Sequence, residues 1–274
     1  MPLKSLFSKF AGNHSNNTEP EWPEDQLSQQ QQAQKAELFR VQYAQTDDPQ
    51  ESFDLCKQAA NEGVIDALYL LGVMYENGDG QQQYFQQAAE CYWRAASKGK
   101  PEAQYNLALI YAQGSLGQQD YLTAFHWFEK AADAGIVQAQ YNLANCHDQA
   151  LGCLGDKEKA FNGYMKAAEQ GFIHAWQNIA VMYYQGEGTE QNVISAYGWT
   201  LLAAKAELEE AIASEPILTA ELTAEQIIEG KALLNTLITQ YQAFLPRLSK
   251  EIESTADAAI NQFYDAAESH SGNE

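Results

Sequence analysis

GKPEAQYNLALIYAQGSLGQQDYLTAFHWFEKAADA, residues 99–134, decides the fold. Within it, Ala103, Leu107, Ala108 and Tyr111 fall at i, i+4, i+5 and i+8, one stripe of an amphipathic helix. Ala124, Phe128, Ala131 and Ala132 form a second stripe. Gly114 and Gly117 mark a loop between them. Asp120 stands just before the second helix, where its carboxylate can accept from first-turn N–H groups that have no partner within the helix. Gly135 follows the second stripe, where a left-handed residue stops a helix. The segment therefore predicts two helices, A and B, joined by a short loop.

The stretch recurs. Gly63, Gly99, Gly135 and Gly171 are spaced 36 residues apart, as are Ala67, Ala103, Ala139 and Ala175. Leu71, Leu107, Leu143 and Ile179 keep the same period, each followed by a small residue: Gly72, Ala108, Ala144, Ala180. Asp120, Asp156 and Asn192 repeat the cap. In the third copy His147 stands where the others carry Tyr75, Tyr111 and Tyr183, and Ala150 where they carry glycine. An unbroken period of this length is the mark of a solenoid, in which each pair buries its apolar face only against its neighbours. The predicted fold is all-α, a right-handed α-solenoid.

Working outward, residues 31–62 form a degenerate first pair. Asp48-Pro49-Gln50-Glu51 supplies its cap and its proline at the first helical position, and Leu38, Phe39, Val41 and Tyr43 fall on its helix A. Full repeats follow at 63–98, 99–134, 135–170 and 171–206. Glu207 then occupies the place where glycine was due. The pattern predicts one longer helix over 193–213, a break at Ser214-Glu215-Pro216, and a helix over 224–244 capped by Thr223 with Gln226. Residues 207–266 thus read as a helical C-terminal cap that Pro246 interrupts. Residues 1–30, with Pro20, Pro23 and the start of the Gln29–Gln32 run, read as a disordered segment, and 267–274 as an acidic tail.

The net charge is −21, from 37 acidic and 16 basic residues, so nucleic acid and anionic membrane are excluded as main partners. No apolar run approaches the roughly 20 residues a bilayer requires, so membrane insertion is not expected. Cys56, Cys91, Cys146 and Cys153 are too few for a disulfide scaffold, and the start of the chain does not read as a secretory leader. A cytoplasmic protein, monomeric by default, is the expectation.

Leu71-Gly72-Val73-Met74-Tyr75-Glu76-Asn77-Gly78-Asp79-Gly80, followed by Ala88 and Ala95-Ala96-Ser97-Lys98-Gly99, resembles the Sel-1-like repeat, a relative of the tetratricopeptide repeat. So does the stretch from Ala175 to Gly188 with Ala196-Tyr197-Gly198-Trp199 and Ala203-Ala204. The resemblance spans residues 49–206, and Leu222-Thr223-Ala224-Glu225-Gln226-Ile227 resembles a segment that closes such arrays. It implies a scaffold or adaptor, often bacterial, that binds other proteins.

Catalytic motifs such as Gly-x-Ser-x-Gly and His-Glu-x-x-His are absent, and no enzyme or cofactor is expected. Cys146, His147 and Cys153 form a metal-like cluster without a fourth ligand, so packing is the better reading and no metal is assigned. His14, His126, His174 and His270 have no evident nucleophile or carboxylate partner.

The positions of helix A opposite its core stripe would line a concave surface. They give the candidate partner-binding residues Tyr69, Glu76, Tyr105, Asn106, Tyr141, Asn142, Asn145, Gln177, Asn178 and Tyr184. Tyr69, Tyr105 and Tyr141 form one ladder, and Asn106, Asn142 and Asn178 another. Tyrosine offers contact area with a hydroxyl, and asparagine bonds a peptide backbone in both directions. The same ladders would also arise from packing between repeats, and the sequence leaves both readings open. The face carries four acids (Asp66, Glu76, Glu102 and Asp148) and no Lys or Arg, which suits a neutral-aromatic or basic peptide or protein. The leading function is a non-catalytic interaction scaffold. The alternatives are an accessory of envelope or cell-wall hydrolytic chemistry, and an inert structural or immunity-type module.

Overall fold

The computed structural model describes residues 29–79 and 83–245. Twelve helices run through them, with no strand among the described residues. They are α1 (Gln29–Tyr43), α2 (Pro49–Asn61), α3 (Ile65–Asn77), α4 (Phe85–Ser97), α5 (Pro101–Gln113), α6 (Tyr121–Asp133), α7 (Val137–Gln149), α8 (Lys157–Glu169), α9 (His174–Gln185), α10 (Val193–Lys205), α11 (Glu209–Glu221) and α12 (Ala224–Tyr241). Each helix A packs on its own helix B, and each B on the next A, so the stack grows in chain order as an all-α solenoid. Expectations placed on residues 1–28, on 267–274, on Gly80, Pro246, His14 and His270 and on the stretch 246–266 lie outside the described residues.

The capping side chains act as their chemistry dictates. Asp120 Oδ1 accepts from the Thr123 N–H at 3.0 Å, Asp156 from Lys159 at 3.0 Å, Asn192 from Ser195 at 2.9 Å and Asp48 from Glu51 at 2.9 Å. Thr223 and Gln226 close a full capping box. The A–B loops are held alike: the N–H groups of Tyr84, Asp120, Asp156 and Asn192 donate to the carbonyls of Tyr75, Tyr111, His147 and Tyr183 at 2.8–2.9 Å.

The third repeat departs in sequence but not in shape. Ala150 takes the left-handed conformation (φ 57°) that Gly78, Gly114 and Gly186 take at the same helix end. The His147 ring stands edge-on to Phe125 at 5.4 Å, as Tyr75 does to Phe53 at 5.4 Å and Tyr183 to Phe161 at 5.2 Å. It is a packing residue in the tyrosine position.

Two boundaries differ from the sequence expectation. Helix α1 opens at Gln29, inside the stretch assigned to disorder, and of its four apolar residues only Phe39 (buried) and Tyr43 (packed on the core) face inward, while Leu38 and Val41 are exposed. At the other end, the 193–213 helix does not form. The chain stops at Lys205 and turns, with Glu207 in the left-handed region at φ 64°. The Leu208 N–H reaches the Ala203 carbonyl at 3.2 Å, as Phe172 reaches Ala167 at 3.1 Å one repeat earlier. The repeat register therefore survives the loss of glycine, and α11 is a further helix A. Pro216 lies inside it without breaking it, its ring on the exposed side. Helix α12 leaves the pattern and lies along α10, where Leu233 fits over Gly198 and Gly230 fits against Tyr197.

Candidate protein-interaction surface

Helix A presents its surface through a ladder that is largely spent on the fold. Asn178 Nδ2 donates to the Tyr141 hydroxyl at 3.3 Å. Tyr69 and Asn106, and Tyr105 and Asn142, stand at the same 37-residue offset. Burial pushes the Tyr105 hydroxyl well above its ordinary range. The offset continues from α9 to α11, where Gln177 Nε2 meets Ser214 Oγ at 3.5 Å and the Tyr184 hydroxyl donates to Glu221 at 2.7 Å.

Of the ten candidate residues, Tyr141, Asn142 and Asn145 are interior, at most 1% exposed, and offer nothing to a partner. The reason is local. The Tyr164 hydroxyl on α8 donates to Asn145 Oδ1 at 2.6 Å, Asn145 donates to Asn142, and Tyr141 is clamped between Phe172 and Tyr164. Tyr69, Tyr105 and Asn106 are half-buried between successive helices. Glu76, also half-buried, accepts from the Tyr92 hydroxyl at 2.6 Å, and burial raises its carboxyl above the usual carboxylate range despite that bond. Gln177 and Asn178 are partly accessible and Tyr184 is exposed.

The expectation of a face without cations is also corrected. Lys157, from the first turn of helix B, reaches onto it and pairs with Asp148 at 2.7 Å and Glu187 at 2.6 Å. Lys100 does likewise at Asp66, 3.0 Å away, joined there by Arg40 at 2.7 Å. Burial alone would raise the Asp66 carboxyl, but the hydrogen bonds from Arg40 and Lys100 outweigh it and hold it below the usual range. Sequence periodicity missed Lys100 and Lys157 because they lie in a turn and on a helix B, not on the helix A stripe. Between α7 and α9, Lys157 borders an open groove of about 350 Å³, whose lining includes Asp148, Asn178, Val181, Met182 and Glu187.

No reactive constellation emerges among the described residues. Ser97-Lys98-Gly99-Lys100 has the spacing of a serine–lysine pair. However, Ser97 Oγ donates to the Trp93 carbonyl at 2.8 Å while Lys100 is engaged by Asp66 and Glu102. Cys146 is fully buried and Cys153 points its thiol at the Cys146 carbonyl, 3.3 Å away, with His147 Nδ1 at 3.7 Å. No group of three metal-ligating side chains occurs among the described residues, and none of their helices is long and apolar enough to cross a membrane.

The sequence model of the Sel1 repeat matches residues 44–64, 65–100, 101–136, 137–172 and 177–208. Among solved structures, c5321, a protective antigen present in uropathogenic Escherichia coli strains and displaying an SLR fold, is 26% identical with a TM-score of 0.66 over 92% of this chain and 52% of that one. This chain thus spans about half the length of that antigen. A Sel1 repeat protein from Oxalobacter formigenes is 24% identical with a TM-score of 0.57, over 65% of this chain and 74% of that one. No curated protein matches the sequence.

Proposed function

Because the chain belongs to the Sel1 repeat family, whose repeats generally serve as protein-interaction scaffolds, we propose that it is a non-catalytic scaffold that holds a partner protein along its helix A face. The observation that carries this reading is the groove between α7 and α9. The groove is lined more by polar than by apolar atoms: Val181 and Met182 supply its small apolar floor, and its rim bears Asp148 and Glu187 with one compensating lysine. Such a surface favours a neutral-aromatic or basic segment, whose aliphatic or ring portion covers the floor while its polar end meets the rim. The buried Tyr–Asn ladder beneath it fixes the helices in place, so little ordering cost falls on binding. We place the protein in the cytoplasm, where its four free thiols stay reduced.

The test is affinity capture with the full chain as bait. Val181→Asp and Gln185→Ala change exposed positions that line the groove and should leave folding intact while together weakening capture of a specific partner by roughly 1–3 kcal/mol. A partner held as tightly by the double variant as by the wild-type chain would sink the groove as its docking site.

A further inference from the structure

We propose that α11 carries a vacant helix seat, on the open end of the stack, for a basic amphipathic helix of a partner protein. This surface lies on a different element from the α7–α9 groove, so the two readings stand or fall separately.

The seat is defined by the repeat itself. Helix α11 is placed as every other helix A: its entry turn matches, Ala211 is fully buried as Ala175 is, and Ser214 and Glu221 bond back to Gln177 and Tyr184. In the preceding helices A, the positions that correspond to Ile212 are covered: Leu68 1%, Gln104 8%, Gln140 7% and Trp176 0% exposed. So are those that correspond to Pro216, namely Gly72, Ala108, Ala144 and Ala180. Part of that cover is the repeat's own helix B: Tyr92 lies against Gly72, and Gly163 against Ala144.

Among the described residues, helix α11 has no such cover. The helix that follows it lies along α10 instead, and its Tyr241 ring packs between Trp176 and Trp199 at 5.5 and 5.6 Å. Ile212 is left 52% exposed and Ile217 66%, with Ala213, Pro216 and Ala220 exposed on the same side. Their spacing, i, i+1, i+4, i+5 and i+8, is a continuous apolar stripe on the outer face of a helix already packed by its inner face.

Two observations select the occupant. What lies against the equivalents of Pro216 in other repeats is a helix, and the equivalents of Ile212 are buried there, so this part of the seat is shaped for a helix; Ile217 widens it, at the position where Val181 is exposed in α9. Around the stripe stand Glu209, Glu210 and Glu221, and α11 carries no Lys or Arg. A second copy would set these acids against themselves. Residues 246–274 of this chain hold six acids and two basic residues, so they are no better matched. An apolar stripe with basic flanks complements the seat in both respects.

The probe is a fluorescein-labelled model helix of about 18 residues, five turns, with leucine on one stripe and lysine on its flanks, beside a twin with glutamate for lysine. The full chain should bind the lysine helix, and the glutamate twin at least about tenfold more weakly, by fluorescence anisotropy. Ile212→Asp with Ile217→Asp should weaken the lysine helix about tenfold or more. These substitutions make the chain more acidic, so non-specific adsorption of a cation would instead tighten binding, and unchanged or tighter binding overturns the proposal. A photo-crosslinking side chain at position 217 should join the probe. Crosslinks that instead map to residues 246–274 or to a second copy, and that the probe does not displace, would overturn it as well.

Discussion

The Asn178 amide donates to the Tyr141 hydroxyl across 3.3 Å, from one helix A to the helix A before it. The two residues are 37 apart, one more than the repeat, and the same offset links Gln177 to Ser214 and Tyr184 to Glu221. A single polar rung thus sets the register between successive helices A, and it does so with groups that a ligand might otherwise have used.

Loss of the rung should register as stability. Tyr141→Phe removes only the hydroxyl and should cost about 1 kcal/mol, whereas Tyr141→Ala empties a site that is 1% exposed and should cost about 3–5 kcal/mol. Urea unfolding would report both as lower midpoints. Folded Tyr141→Ala should still bind a partner normally. A wild-type midpoint for this variant would show that the ring bears no packing load.

Glu76 gives a pH-dependent test. Its folded-state pKa is raised by burial, so the neutral acid is favoured and the ionised form is a burden. The stability it contributes is complete below the ordinary carboxylate range and is lost as pH rises through the folded value. Glu76→Gln keeps an acceptor for the Tyr92 hydroxyl and removes the charge. The variant should melt above wild type at about pH 8 and match it at about pH 4. A difference of equal size at both would rule out ionisation as the cause.

Glu207 is strained where glycine would not be. At φ 64° its Cβ crowds the backbone, while Gly63, Gly99, Gly135 and Gly171 occupy the same place in earlier turns at φ 86–94°. Glu207→Gly should stabilise by about 0.5–1 kcal/mol, visible in calorimetry, even though it removes a side chain and loosens the unfolded chain. A destabilised variant would mean that the Glu207 side chain offsets its own strain.

Ala144 marks a close approach of a helix A to its helix B. A Cβ placed on Gly163 would come within 2.8 Å of the Ala144 Cβ, and Ala144 is 1% exposed. Ala144→Arg would force both volume and charge into that seam, at a cost of about 3 kcal/mol or more. An unchanged melting temperature would contradict the packing.

The sequence by itself determined the helix pair, its period and its caps, because each of these is local. Asp120, Asp156 and Asn192 need only their own first turn, and the Ala103–Leu107–Ala108–Tyr111 stripe needs only the helical period. The tertiary structure decided what the outward residues do. Asn142 and Asn145 are as polar as Asn178 and recur at sites that read as surface, yet Tyr164 on the adjoining helix encloses them. Lys100 and Lys157 enter the face from turns and a helix B that the helix A stripe does not include. The C-terminal end was likewise beyond local reading. Without glycine at 207 the pattern pointed to a continuous helix, but the Leu208–Ala203 hydrogen bond and the burial of Ala206 and Ala211 outweigh roughly 1–2 kcal/mol of left-handed strain. The choice of α12 to lie on α10 rather than α11 rests on the fit of Gly198 to Leu233 and Gly230 to Tyr197, contacts between residues some 33–35 positions apart that no local period specifies.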